Sequence, residues 1–315
     1  MYIGSVDGVE KKMVEGFGID YKGVPCGKLR RYFSLENFSD LIRVPKGFFQ
    51  AKKELKKFSP DVVFSKGGFV AVPVVLAAAK LKIPVIIHES DVVPGLANKI
   101  SARFAEKICV SFEESRKHFE KFSEKVVVTG NPVREGVGAG SKERGLGFVE
   151  LNGDKPVVLV MGGSQGAAQI NELIRGCADE LLKKFDIVHL CGVGKTNDSL
   201  KKEGYVQFEY LDKEMADVYE LADLVVSRGG ANSLAEIAFL GKKALIIPLG
   251  EEASRGDQIK NAEVFAKKCG WKILDSSTGK DEFLKGVEEA YNLAVKKCED
   301  LTGGAEKIAK VILNH

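Results

Sequence analysis

A chain of 315 residues, 44% hydrophobic and 29% charged, exceeds the usual ceiling of a single core and predicts two domains of about 150 residues each. Its formal net charge of +3 argues against wrapping nucleic acid, so any basic surface must be local. No stretch reaches the ~18 uninterrupted apolar residues of a membrane-spanning helix, and no basic leader with an apolar core opens the chain.

The cysteines Cys26, Cys109, Cys177, Cys191, Cys269 and Cys298 form no CxxC pair, which predicts reduced thiols in the cytosol and no metal site. No cofactor is expected.

Residues 1–4 read as the end of a strand, so the strand, glycine-rich turn and helix that open a doubly wound domain are expected to be missing. Residues 28–33 (Lys-Leu-Arg-Arg-Tyr-Phe), with Phe38, Leu41, Ile42, Arg43, Phe48 and Phe49, mix cations with large apolar groups. Such a stretch suits either an anionic membrane face or a core-facing amphipathic helix.

β-branched runs at 61–64, 84–87, 107–110 and 125–128 read as buried strands, and the helix-length segments 70–80 and 95–104 between them make the βαβ alternation of a parallel sheet. Ser65-Lys-Gly-Gly-Phe69 and His88-Glu-Ser-Asp91 each follow a strand and so reach the same sheet edge. His88 and Glu89 are adjacent titratable groups that could move a proton or serve only the structure. Thr129-Gly-Asn-Pro-Val-Arg134 then offers a fixed cation, Arg134, to a diphosphate or to an acidic neighbour. The glycine- and serine-rich residues 136–156 lack periodicity and mark a boundary, giving domains 1–140 and 141–315.

The pattern restarts with strands at 157–161, 187–190, 206–210, 224–227 and 244–248. The first runs into Gly162-Gly-Ser-Gln-Gly166 and a helix near Ala167, a geometry that aims backbone N–H groups at an anion, with Ser164 adding a hydroxyl. A tight turn without ligand is the alternative. Residues 227–230 repeat the layout, with Ala231, Asn232 and Ser233 at the helix start. Glu236, one turn further, either accepts both hydroxyls of a ribose or is a solvated helix residue. Gln258 and Asn261 follow the last strand and are candidates for sugar hydroxyls, or part of a capping loop.

Taken in order, His88-Glu-Ser-Asp-Val-Val-Pro-Gly-Leu-Ala-Asn-Lys99, Thr129-Gly-Asn-Pro-Val-Arg134, Gly162-Gly-Ser-Gln-Gly-Ala167, Ser227-Arg-Gly-Gly-Ala231 and Asp257-Gln258 resemble the motifs of the MurG family, the peptidoglycan N-acetylglucosaminyltransferases of glycosyltransferase family 28. The resemblance covers nearly the whole chain. It implies an α/β fold of two Rossmann-like domains (the GT-B architecture), the first truncated at its N-terminus, with the last helix packing back on the first domain. It further implies inverting transfer of GlcNAc from UDP-GlcNAc to the C4 hydroxyl of MurNAc in undecaprenyl-pyrophosphoryl-MurNAc-pentapeptide (lipid I), giving lipid II. The protein would lie peripherally on the cytoplasmic face of the cell membrane, against its anionic inner leaflet.

By position, Arg134, Ser164, Leu211, Ala231, Asn232, Ser233, Glu236 and Gln258 would bind the donor, with Asn261 a further candidate beside Gln258. Gly67, Gly68, Phe69, Asp91 and Asn98 would face the acceptor, and His88 and Glu89 stand in for the histidine of the family's first glycine loop, GGTxGH, as catalytic candidates. Asp91 and Phe69 depart from the family's frequent asparagine and tyrosine. The alternatives are a UDP-GlcNAc-binding fragment that transfers nothing, and an enzyme of the same fold that uses another acceptor or epimerises the sugar.

Overall fold

The β-branched runs fold into parallel strands in a computed structural model. It describes residues 1–8, 10–26, 36–162, 167–250, 256–296, 298, 301 and 303–315, and of residues 36–43 the backbone alone. The chain divides into two compact units, Met1–Thr129 with Glu306–His315, and Gly130–Ala305.

In the first unit, β1 (Tyr2–Ser5) pairs in parallel with β2 (Tyr21–Val24), while β3 (Val63–Ser65), β4 (Val85–Glu89), β5 (Lys107–Val110) and β6 (Val126–Val128) form a four-stranded parallel sheet in that order. Alternate side chains divide between its faces. Val85, Ile87, Ile108 and Val110 join a core with Val74, Val75, Ala77 and Ala78 of the helix Ala71–Lys80. Ile86 and Cys109 instead pack with Ile308 of the helix Gly304–Leu313. Both faces are therefore covered, as parallel strands with apolar side chains on both sides require.

Strand β4 runs two residues past the expected end at 87, because His88 pairs with Cys109 and Glu89 with Val110 in the ladder. Of the basic and apolar stretch, residues 28–33 lie outside the described residues, as do the side chains of Phe38, Leu41, Ile42 and Arg43. The helix Glu36–Phe58 carries the remainder. Phe48 packs against the core of the unit, while Phe49 is 66% exposed.

The second unit holds β7 (Val157–Met161), β8 (Asp186–Leu190), β9 (Tyr205–Phe208), β10 (Leu224–Ser227), β11 (Lys243–Ile246) and β12 (Lys272–Ile273). They lie in the order β12-β11-β10-β7-β8-β9, all parallel. Counted from β7, this is the 3-2-1-4-5-6 order of a doubly wound dinucleotide-binding sheet, whose direction of winding reverses between β7 and β10. On one face Val158, Val160, Ile187, Leu224, Val226 and Leu245 pack with Ile170 and Ile174 of the helix Ala168–Gly176 and with Phe283 and Val287 of the helix Lys280–Asn292.

The thiol expectation is corrected at one pair. Cys269 and Cys298 are joined in a disulfide, with Cα atoms 5.8 Å apart. Lys296 N–H donates to the Cys269 carbonyl at 3.1 Å, which returns the chain to the end of the helix Asp257–Cys269 across a sequence gap that carries no recognisable spacing. Among the described residues no helix is long and apolar enough to cross a membrane.

Phe283 has no exposed surface. Phe283→Ala is expected to cost about 3–5 kcal/mol through lost burial and the cavity left behind, read as a lower denaturation midpoint at unchanged slope.

Candidate functional site

Parallel pairing places Ser227 beside Met161 on one side and Ile246 on the other. Strands β7, β10 and β11 therefore end together, and the segments that follow them share one sheet edge at the reversal of winding. After β7 come Gly162 and the helix Ala168–Gly176; after β10 come Arg228, Gly229, Gly230 and the helix Ala231–Phe239. The residues before these helices, Ala167 and Gly230, have no side chain that could cap them, and neither helix has an acid in its first turn. The other described helices of this unit carry one or two there: Glu143, Asp179 with Glu180, Asp217, Asp257, and Asp281 with Glu282. Free N–H groups and an uncompensated positive helix end are what an anion binds.

Of the expected donor residues, Ser164 lies outside the described residues. Asn232 is exposed and Ser233 half-buried in the first turn of the second helix, and Ala231 is buried. Glu236, one turn on, has 13% of its side chain exposed. Its Oε1 lies 3.6 Å from Arg134 Nε, and Arg134 also approaches Asp212 Oδ1 at 4.0 Å. Leu211, buried, precedes that aspartate just after β9. Arg134, Leu211 and Glu236 are thus gathered by three separate segments.

Gln258 and Asn261 brace the turn from the side. Asn261 is fully buried and its Nδ2 donates to the Gly229 carbonyl at 3.1 Å, while Gln258 Oε1 accepts from Leu249 N–H at 3.2 Å. The approach is close enough that a Cβ on Gly229 would lie 2.2 Å from the Gln258 carbonyl oxygen.

Sequence reasoning did not single out Tyr219, Asp212, Lys66 or His189. Tyr219, on the helix Met215–Leu221, is fully buried and donates its hydroxyl to Glu236 Oε2 at 3.1 Å. Burial, and then the Glu236 charge, push its pKa well above the ordinary tyrosine value. A tyrosine on a wholly apolar helix face was the available signal, since its hydroxyl needs a partner inside. His189 Nε2 lies 2.9 Å from Asn171 Oδ1 and its Nδ1 2.8 Å from the Tyr205 hydroxyl, while Asn171 Nδ2 donates to the Cys191 carbonyl at 2.9 Å. Asn171 sits in the first turn after the glycine segment, so this buried network fixes that helix start.

In the first unit, Gly67 and Gly68 follow β3 with φ of +89° and +82°, a region that favours glycine. Gly67 N–H donates to Ser65 Oγ, and a Cβ there would lie 3.0 Å from Asn98 Nδ2. Asn98 Nδ2 donates to the His88 carbonyl at 3.1 Å and to Glu89 Oε2 at 2.9 Å. Glu89 also accepts from the N–H groups of Asp91 and Gly95, each at 3.0 Å. His88 is wholly buried, with Nε2 3.4 Å from Ser111 Oγ.

The expected residues Gly67, His88, Glu89, Asp91 and Asn98 therefore form one cluster, and Phe69, two residues after Gly67 in the chain, is exposed. Lys66 is exposed as a whole residue, yet the protein atoms crowded around its ammonium lower its pKa against the opposing pull of Asp91 and then Glu89.

Residues 1–110 match the glycosyltransferase family 28 N-terminal domain and residues 157–310 its C-terminal domain. The chain belongs to glycosyltransferase family 28. A relative from Lachnospira eligens, named UDP-N-acetylglucosamine--N-acetylmuramyl-(pentapeptide) pyrophosphoryl-undecaprenol N-acetylglucosamine transferase, is 51% identical over 92% of this chain and 82% of its own. A Bacillus cereus protein of that name, numbered 2, is 48% identical over 99% of this chain and 90% of its own.

Among solved structures, Acinetobacter baumannii MurG superposes with a TM-score of 0.67 at 23% identity, covering 99% of this chain and 90% of that one. A UDP-GlcNAc 2-epimerase from Neisseria meningitidis, bound to UDP-GlcNAc, gives 0.67 at 16% identity over 97% of this chain and 88% of its own. At those identities the structures establish a shared fold. This family 28 glycosyltransferase thus has the two-domain α/β architecture expected from its motifs.

Two measurements probe the site's framework. Gly229→Ala is expected to lower the melting temperature by roughly 2–10 °C through overpacking, whereas Gly230→Ala, with nothing within 4 Å of the added carbon, leaves it unchanged. Burial and then Arg175 hold the His189 pKa down at about 3, while an unfolded histidine titrates near ~6.5. The stability His189 supports is complete above that pH and is lost as the pH falls towards 3, by up to ~1.4 kcal/mol per unit. Denaturant titrations between pH 7 and 4 should show a steeper fall for the wild type than for His189→Gln.

Proposed function

We propose that the chain transfers N-acetylglucosamine from UDP-GlcNAc to the C4 hydroxyl of MurNAc in lipid I, with inversion at the anomeric carbon, to give lipid II for peptidoglycan synthesis. The observation that carries this reading is the pair of helix starts with no acid in the first turn at the reversal of winding in the second unit, with Arg134 and Glu236 close by. The names of the relatives supply the donor and the acceptor.

In this reading the leaving diphosphate rests on N–H groups at the starts of the two helices and on Arg134, which stabilise the negative charge as the bond to the sugar breaks. Ala231, Asn232 and Ser233 line that anion site, and Ser164 is assigned to it from the family's motif alone. Glu236 accepts the ribose hydroxyls, the backbone at Leu211 meets the uracil, and Gln258 faces the sugar. Asn261, whose amide is taken up by the Gly229 carbonyl, holds the turn.

The glycine turn of the first unit, with Gly67, Gly68, Phe69, Asp91 and Asn98, is assigned to the acceptor. The inward hydrogen bonds of Glu89 and the burial of His88 support a role for both in setting that loop rather than in moving the proton. The undecaprenyl chain of the acceptor would keep the enzyme peripherally on the cytoplasmic face of the membrane, against the anionic leaflet.

The test is incubation with UDP-[14C]GlcNAc and a soluble lipid I analogue, with the product linkage read by NMR. A β-1,4-linked disaccharide is expected. UDP-GlcNAc binding without product would make the chain a donor-binding protein, and release of a 2-epimerised sugar nucleotide would replace transfer with epimerisation. Glu236→Ala is expected to weaken UDP-GlcNAc binding by about 1–3 kcal/mol, the cost of lost charged hydrogen bonds, measured by titration calorimetry. Unchanged affinity would leave Glu236 outside the donor site.

A further inference from the structure

Glu236 does not stand alone on its helix. Its Oε2 accepts the Tyr219 hydroxyl at 3.1 Å, and Oε1 turns to Arg134. Tyr219 reaches it from a helix that is itself firmly held. Asp217, on the same helix, accepts from Arg144 Nε and Nη2 at 3.1 and 2.6 Å and from Ser141 N–H at 2.8 Å. Gly140 and Gly145 pack so tightly on this helix that a Cβ on either would lie 2.1 and 2.7 Å from the carbonyls of Ala216 and Asp217. The tyrosine ring has no exposed surface, and its raised pKa keeps the proton on the hydroxyl throughout the working range. The same hydroxyl lies 3.4 Å from the sulfur of Met161, the last residue of β7 before the first glycine turn.

We infer that Tyr219 is a positioning residue for the donor: its buried hydroxyl pins one carboxylate oxygen of Glu236, so that the other is presented in a fixed direction to the vicinal diol of a nucleoside diphosphate. This rests on the assignment of Glu236 to the ribose. A carboxylate free to rotate would have to be ordered when the ligand arrives, whereas one held in advance is ready. Because the carboxylate is the stronger acceptor and the thioether a weak one, the proton goes to Glu236, and the contact with Met161 only locates the ring.

Tyr219→Phe keeps the ring and removes only the hydroxyl. In the full chain it should raise the KM for UDP-GlcNAc roughly tenfold, the order of one charged hydrogen bond, with kcat within twofold. Binding of UDP should weaken by a similar factor, and binding of 2′,3′-dideoxy-UDP, which offers no diol, should hardly change.

Met161→Leu removes the sulfur and leaves the Tyr219–Glu236 bond, so its affinity for UDP should match the wild type. Equal weakening of UDP and dideoxy-UDP by Tyr219→Phe, or a loss in Met161→Leu as large as that in Tyr219→Phe, would reduce Tyr219 to packing and overturn the inference. If Glu236→Ala leaves UDP affinity intact, the ribose assignment itself fails; if Glu236→Ala weakens UDP and Tyr219→Phe does not, only the positioning role is lost.

Discussion

The pairing of β7 with β10, Met161 beside Ser227, is the constraint on which the second unit depends. It joins two strands distant in sequence at the middle of a six-stranded sheet and brings their C-terminal ends level. A slip of one residue would exchange the faces on which Val158, Val160, Leu224 and Val226 bury their side chains. It would also carry Gly162 out of line with Arg228, the residues that follow the two strands. The hydrophobic core and the sheet edge that carries the candidate site are therefore specified by the same register.

Around that edge, buried polar groups serve as framework. Asn171 and His189 hold the helix after the first turn, Asn261 takes the carbonyl of the second, and Tyr219 reaches the carboxylate one turn into its helix. Each is at most a few per cent exposed, so each would be costly without its partner. The neutrality of His189 belongs to the same logic, because an imidazolium at that depth would have to be desolvated. In the first unit Glu89 and Asn98 do the equivalent for the loop that begins at Gly67, with three donors on one carboxylate.

Much of this was legible in the sequence, and the reason is periodicity. Runs such as Val157-Val-Leu-Val-Met161 and Leu224-Val-Val-Ser227 can be buried on both faces only as central strands, and the glycines after them admit close approach of backbone. What escaped lacked that signature. The Tyr-Lys-Gly-Val of β2 and the two residues of β12 are too short or too polar to read as strands. His88 and Glu89 looked like a loop because they are polar, yet ladder pairing draws them into β4. The link between Cys269 and Cys298, and the partnership of Tyr219 with Glu236, arise where separate segments meet in space, and no local pattern encodes such a meeting.

A helix can close its own first turn, as happens where Ser141 Oγ accepts from Arg144 N–H at 3.3 Å. The helix that begins at Ala231 has no such help from the residue before it, because Gly230 carries no side chain, and no acid stands in its first turn. A diphosphate resting there would act as its cap, so the binding free energy of such a ligand would become part of the folding free energy of the unit. Occupancy of the site and resistance to unfolding would then rise together.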